Sequence, residues 1–139
     1  STSADIALAA QSLVGRVDAI YVSTDNTVVS ALDALVQVTT ANDIPLILAD
    51  PTTVEKGALA GLGFNYYQHG EQAADIVARV LQGEDPGSIP VQFAQNLELW
   101  FNLQAAAELD IPLSELLNRV VAFAEDLEAR GMKVHIQFL

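Results

Sequence analysis

Short apolar runs that alternate with amphipathic stretches along nearly the whole chain predict an α/β fold. The expected form is a three-layer, flavodoxin-like (Rossmann-like) parallel sheet of about five strands with helices on both faces, joined by right-handed crossovers. A second observation supports it. Most apolar runs are continuous rather than alternating, the pattern of strands covered on both faces, and glycine, proline or small polar residues punctuate them.

Taken in order, "SADIALAAQSLVG" (3–15) sets Ile6, Ala9, Ala10 and Leu13 on one helical face and stops at Gly15. "VDAIYV" comes next as a buried strand. Val28, Leu32, Leu35, Val36 and Val38 then keep helical spacing from Thr27 to Ala41, and "IPLILAD" (44–50) is a second strand. In "PTTVEKGALAGL", Thr52 precedes Glu55 by three residues, a capping-box spacing that predicts a helix from about Thr53 to Gly61 or Gly63. "GFNYY" reads as a short third strand. The helix in "HGEQAADIVARVLQGEDPG" has Ala73, Ile76, Val77 and Val80 as its expected inward face, with Gly83 and Pro86 ending it. "VQFA" and "LELWFN" read as extended pieces. Pro112 divides the segment from Leu103 to Gly131 into a short helix, a turn at Asp110 to Pro112 and a longer helix from about Ser114 to Arg130. "MKVHIQFL" closes the chain as an alternating strand.

Composition narrows the function. The 139 residues fit one domain over 1–139. Mean hydropathy is +0.31, yet acids interrupt every apolar run before the roughly 20 residues a spanning helix needs, so no membrane insertion is expected. With 18 acidic against 6 basic residues and a net charge of −12, nucleic acid and anionic membranes are electrostatically opposed partners. The absence of cysteine excludes disulfides, thiolate chemistry and sulfur-ligated zinc. The first residue is Ser1, without methionine or leader, as expected of a processed or trimmed chain.

In such sheets ligands bind beyond the carboxyl ends of the strands, which directs attention to three loops. The first, Ser23-Thr24-Asp25-Asn26, offers two hydroxyls, a carboxylate and an amide. These are also the preferred helix caps, so capping and ligand binding both fit. Asp50, at the end of the second strand and before Pro51, can accept from a ligand or open a turn. Tyr66 and Tyr67, read on a strand, direct one ring to the core and one to the loops. His69 and His135 lack ligand spacing, so neither a metal nor a cofactor is expected, and no phosphate-loop, dinucleotide or nucleophile-elbow motif occurs. A triad of Ser23, His69 and Asp50 has nothing to support it. The later acids, Glu98, Glu108, Asp110, Glu115, Glu125, Asp126 and Glu128, read as solvated helix faces. Adjacent Trp100 and Phe101 should face opposite sides, making "LELWFN" a candidate edge for self-association.

The stretches "SADIALAAQSLVGRVDAIYVSTDNTVVSALDALVQ", "IPLILADPTTVEKGALAGLGFNYYQHGEQAADIVARVLQGEDPGSIPVQ" and "NLELWFNLQAAAELDIPL" resemble the carboxyl-terminal half of ABC-transporter substrate-binding proteins of the tryptophan and tyrosine type. The resemblance covers about residues 1–115. It implies one lobe of a type I periplasmic-binding-protein fold, which closes with a second lobe on an amino acid and delivers it to an ABC permease. Such proteins are extracytoplasmic, periplasmic or lipoprotein-anchored, and are not enzymes. Thr24, Asp25, Asn26 and Asp50 match positions facing the ligand, and Asn65, Tyr66 and Tyr67 positions near the crossover between lobes; Ser23, taken with the ligand loop, stands where these proteins often have proline. On that resemblance the N-terminal lobe is expected to be absent, and with it the apolar strand that would open this lobe before its first helix. The end, "LLNRVVAFAEDLEARGMKVHIQFL", looks like the helix and strand that precede such a start, as in a circularly permuted, engineered or recombined fragment. A lone lobe is expected to bind an amino acid weakly or not at all. The alternatives are a scaffold without ligand, associating as a homodimer, and a small hydrolase or transferase.

Overall fold

The computed structural model describes residues 3–139. Helix α1 (Ser3–Gln11) leads to β1 (Ile20–Val22), then α2 (Asn26–Ser30), α3 (Leu32–Ala41) and β2 (Leu46–Leu48). A 3-10 turn (Pro51–Lys56) precedes β3 (Ala60–Gly63), α4 (Tyr66–Leu81) and a second 3-10 turn (Pro86–Ser88). The chain ends with β4 (Asn96–Phe101), α5 (Leu103–Glu108), α6 (Leu113–Ala129) and β5 (Lys133–Phe138).

The strands form one five-stranded sheet in sequence order, so the α/β class holds with one correction. β1, β2 and β3 are parallel, but β4 runs antiparallel to β3, and β5 is parallel to β4. The sheet is therefore mixed. The link between β3 and β4 contains α4, and because α4 does not return along the sheet the chain re-enters in the opposite direction.

Register separates the two faces. Leu48 pairs with Gly61 and Ile47 with Ala60, so Leu48 and Ala60 point to opposite sides. On one side Ile20, Val22, Leu46 and Leu48 pack under Ala10 of α1 and Leu32 and Leu35 of α3. On the other, Ala60, Leu99 and Phe101 pack under Ala106 of α5 and Leu116 and Val120 of α6. Helices thus cover both faces, each over a different half of the sheet.

Three sequence expectations shift. The helix expected over 27–41 breaks at Ala31 (φ −112°, ψ 17°) into α2 and α3. The helix expected to run to Gly61 or Gly63 stops at Gly57, whose φ of 119° suits glycine. "AGLG" then becomes the strand, and "GFNYY" does not. Alanine and leucine favour helix intrinsically, but here tertiary packing wins: a Cβ on Gly61 would lie 2.6 Å from Val54 Cγ2 and 2.8 Å from Pro51 Cα. Only a strand of minimal side chains lets the 3-10 turn sit on the sheet.

The largest departure is α4. Its expected inward face finds no core: no α4 residue is buried, and Val77 and Leu81 are 57% and 82% exposed. Nor is "LELWFN" an edge, because β4 lies between β3 and β5 with Phe101 buried and stacked on Phe138. The turn at Asp110 (φ 54°), α6 and β5 match expectation closely.

Candidate functional site

Parallel pairing brings the carboxyl ends of β1, β2 and β3 to one end of the sheet, and the reversed direction of β4 and β5 adds their amino ends there. Neighbouring strands are about 4.8 Å apart, so the three loops after β1, β2 and β3 span about 10 Å. The predicted residues are therefore brought to one end of the sheet.

Each loop opens on an Asx cap. Asp25 Oδ1 accepts from the backbone N-H groups of Thr27 and Val28 at 2.9 and 3.0 Å. Asp50 Oδ1 accepts from the Thr52 N-H and hydroxyl at 3.0 and 2.7 Å. Asn65 Oδ1 accepts from Tyr67 and Gln68 N-H groups at 2.9 and 3.3 Å. Capping thus explains one oxygen in each loop, since the orphan amides of a first turn need acceptors. Asp25 lies in the extended region (φ −129°, ψ 120°), the usual backbone of a cap.

Capping does not account for the rest. Ser23, Thr24 and Asn26 are exposed, and no hydrogen bond among the described residues engages their side chains. Ser23 also lines an apolar groove of about 220 Å³ beside the open edge of β1, with Ile6, Leu13, Tyr21 and Val28. Tyr66 and Tyr67 depart from expectation. Both lie in the first turn of α4 and both are exposed, Tyr66 meeting Phe64 edge-on at 5.0 Å between ring centroids. The Asn65 cap moves them from strand to helix.

Sequence reasoning missed Glu98. It is not on a solvated helix face but in β4, 9% exposed, and its Oε1 accepts from Asn65 Nδ2 at 2.9 Å. One asparagine thus caps α4 with its oxygen and holds a buried carboxylate with its nitrogen. The alternation Leu97, Leu99, Phe101 is the available signal, since it sends Glu98 to the other face. Its partner lies 33 residues away, beyond any local pattern.

Ser23, Asp50 and His69 share no hydrogen bond: Asp50 is bonded to Thr52, and His69 Nδ1 is buried with no partner among the described residues. No group of three or more His, Asp or Glu residues among those described is placed to hold a metal ion. Among the described residues no helix is long and apolar enough to cross a membrane.

Comparison with known proteins gives the family and the fold. Residues 1–125 match the family model of the ABC transporter substrate binding protein. A tyrosine-binding protein of Clostridioides difficile (strain R20291) is 37% identical over 111 residues, 80% of this chain and 32% of that protein. The crystal structure of a conserved domain protein from Vibrio cholerae O1 biovar eltor superposes with a TM-score of 0.67 at 37% identity, over 96% of this chain and 42% of that one. An ABC domain from Streptococcus pneumonia in complex with L-Trp gives 0.67 at 24% identity, over 99% and 42%, and shares the fold. The chain spans about a third of the length of that curated relative.

Proposed function

The chain belongs to the ABC transporter substrate binding protein family, and we propose on that premise that it is one lobe of a two-lobed, non-catalytic binder of an amino acid. The observation that carries this reading is the row of three Asx-capped turns, at Asp25, Asp50 and Asn65, on adjacent strand ends of one sheet. In each aspartate the capping bonds use only Oδ1. Oδ2 of Asp25 and of Asp50 then serves an ammonium group, while the hydroxyls of Ser23 and Thr24 and the Asn26 amide serve a carboxylate. Tyr66 offers an exposed ring to the ligand's side chain. The tyrosine-binding relative supports an aromatic amino acid.

A second lobe completes the site. Two surfaces support a further packing partner: the apolar face of α4 has no core, and β1 is an edge strand beside an unfilled apolar groove. The open crevice covers only one side of a ligand, so the lone lobe binds more weakly than about 1 mM, which corresponds to about 4 kcal/mol. In the complete protein the lobe pair works outside the cytoplasm and delivers its ligand to a permease.

The test is a nitrogen-proton NMR titration of the chain with tryptophan, tyrosine, phenylalanine and leucine, up to solubility. Shifts confined to 23–26, 50 and 65–66, without saturation below about 1 mM, and lost in Asp25→Ala and Asp50→Ala, support the reading. Micromolar binding by the monomer would overturn the weak-lobe part, and shifts elsewhere would overturn the site. The exposed face of α4 favours a second reading, a self-associating module without ligand. Mass in solution separates the two: a dimer dissociated by Val77→Asp, with no amino-acid response, would favour that module.

A further inference from the structure

The β4–β5 pair has a polar face that the amino-acid site does not use. Asn96 pairs with Lys133, Glu98 with His135 and Trp100 with Gln137, so these six side chains share one side of the two strands. Leu97, Leu99 and Phe101, with Val134, Ile136 and Phe138, take the other, where α5 and α6 cover the sheet. Parallel strands are ordinarily apolar on both faces. Here one face is polar, and Gln68 of α4 overhangs its near end to form a groove of about 250 Å³ lined by Gln68, Asn96, Leu97, Lys133, Val134 and His135.

A lysine in walls without an acid distinguishes this groove from the one beside Lys56. Acids outnumber bases by 18 to 6 in the chain, and both the groove beneath Lys56 and the crevice beside Thr39 include acidic residues in their walls. The walls of the β4–β5 groove contain none. They carry an ammonium, an imidazole and two amides, all able to donate hydrogen bonds. Arg79, Arg119 and Arg130 are committed to Glu84, Glu115 and Asp126, and Arg16 is bonded to the Ser12 carbonyl. Lys133 makes no ion pair among the described residues. Glu98, across from His135 on the same face, accepts from Asn65 through Oε1 and keeps its charge, so an anion sits toward the Asn96–Lys133 end of the groove.

From this arrangement we propose that the groove between α4 and the amino ends of β4 and β5 is an anion site for the carboxylate of a small molecule. Lys133 supplies the charge, and Gln68, Asn96 and His135 supply orienting hydrogen bonds. A single full cation compensates a singly charged carboxylate. A doubly charged phosphate faces twice the repulsion of the surrounding negative field with no second lysine or arginine to offset it. None of Ser23, Thr24, Asp25, Asn26, Asp50, Asn65 and Tyr66 lines this groove, although Gln68 donates its N-H to Asn65 Oδ1 in the first turn of α4.

Sodium acetate is the probe, added to labelled chain at constant ionic strength against sodium chloride, and followed by NMR. Saturable shifts at Gln68, Asn96, Lys133 and His135 are expected. Lys133→Gln weakens acetate binding roughly tenfold, the worth of one charge-assisted hydrogen bond. Lys56→Gln removes the same charge elsewhere and leaves it unchanged. Both lysines are exposed, and the amide spectrum of each variant reports directly whether it folds. Non-saturating shifts, equal weakening by both variants, or tighter binding of inorganic phosphate than of acetate would each overturn the proposal. The outcome for amino acids at 23–26 and 50 does not bear on it.

Discussion

Replacing Gly61 with alanine puts a methyl carbon 2.6 Å from Val54 Cγ2, 2.8 Å from Pro51 Cα and 3.3 Å from the Asp50 carbonyl oxygen. Carbon atoms need about 3.5 Å or more to be in favourable contact, so the 3-10 turn must lift from the sheet. One clashing atom is backbone, which places the steric cost near the top of the overpacking range, about 2–3 kcal/mol. Loss of glycine stiffens the unfolded chain and returns only about 0.4–1 kcal/mol. Net destabilisation is then about 1–2 kcal/mol, or roughly 3–6 °C in Tm for a chain of this size. Gly70, inside α4, has open space where its Cβ would be, and Gly70→Ala gains about 0.5–1 kcal/mol from helix propensity. One chemical change thus has opposite signs at two positions. Urea unfolding of the wild type and both variants measures it, with equal m values as the check that only stability moved. A Gly61→Ala midpoint at or above wild type would refute the packing of the turn on β3, and with it the placement of Asp50.

Leu32, 2% exposed on the core face of α3, contrasts with Val77 on the open face of α4: Leu32→Ala should cost about 2–5 kcal/mol, whereas Val77→Asp should stay within about 0.5 kcal/mol in the lone chain. Urea midpoints decide, and a large loss at Val77 would mean that α4 has a core after all. Asn65→Ala removes a cap and leaves the buried Glu98 carboxylate without its donor, which should cost about 2–3 kcal/mol; Asn65→Asp, which keeps the cap and sets two carboxylates together, should be rescued by acid. Arg79 beside Glu84 holds that carboxyl below the usual range, chiefly through the hydrogen bond, and Glu84 in turn raises Arg79. Because the folded value of Glu84 is lowered, the pair's small contribution is present above the ordinary glutamate pKa and fades as pH falls through the lowered one. NMR titration of Glu84 in Arg79→Gln should therefore move its midpoint up, and less so at high salt.

Much of the fold is legible in the sequence because its signals are local. The capped start at Asp25, the Asp110 turn before α6 and the alternating β5 each rest on a few neighbouring residues, whereas the capping box expected at Thr52 and Glu55 gives way to a cap by Asp50, two residues earlier. The illegible part depends on distant partners. Whether "AGLG" is helix or strand is decided by Pro51 and Val54 above it, and the direction of β4 by where α4 leaves the sheet. The apolar face of α4 is visible as a face, but the core it would pack on is not in this chain's described structure. Periodicity says that a helix needs a partner without saying which chain segment supplies it.

The same division runs through the site. Ser, Thr, Asp and Asn at a strand end are equally apt as cap and as ligand shell, and the geometry explains why composition alone cannot separate the roles: one carboxylate can serve both with different oxygens. A cap needs only Oδ1 of Asp25, whose two amide bonds fix χ1 and χ2 and so aim Oδ2 at a constant position. Pre-orientation of this kind lowers the ordering cost of binding. A loop selected only to start a helix has no use for Ser23 and Thr24, which are exposed and take no part in the capping of α2. Replacing Asp25 by asparagine preserves the capping oxygen and puts an N-H donor where an ammonium would meet Oδ2. Stability near wild type with loss of the amino-acid response would assign the second oxygen to a ligand. Loss of stability alone, with the response intact, would leave Asp25 a cap and nothing more.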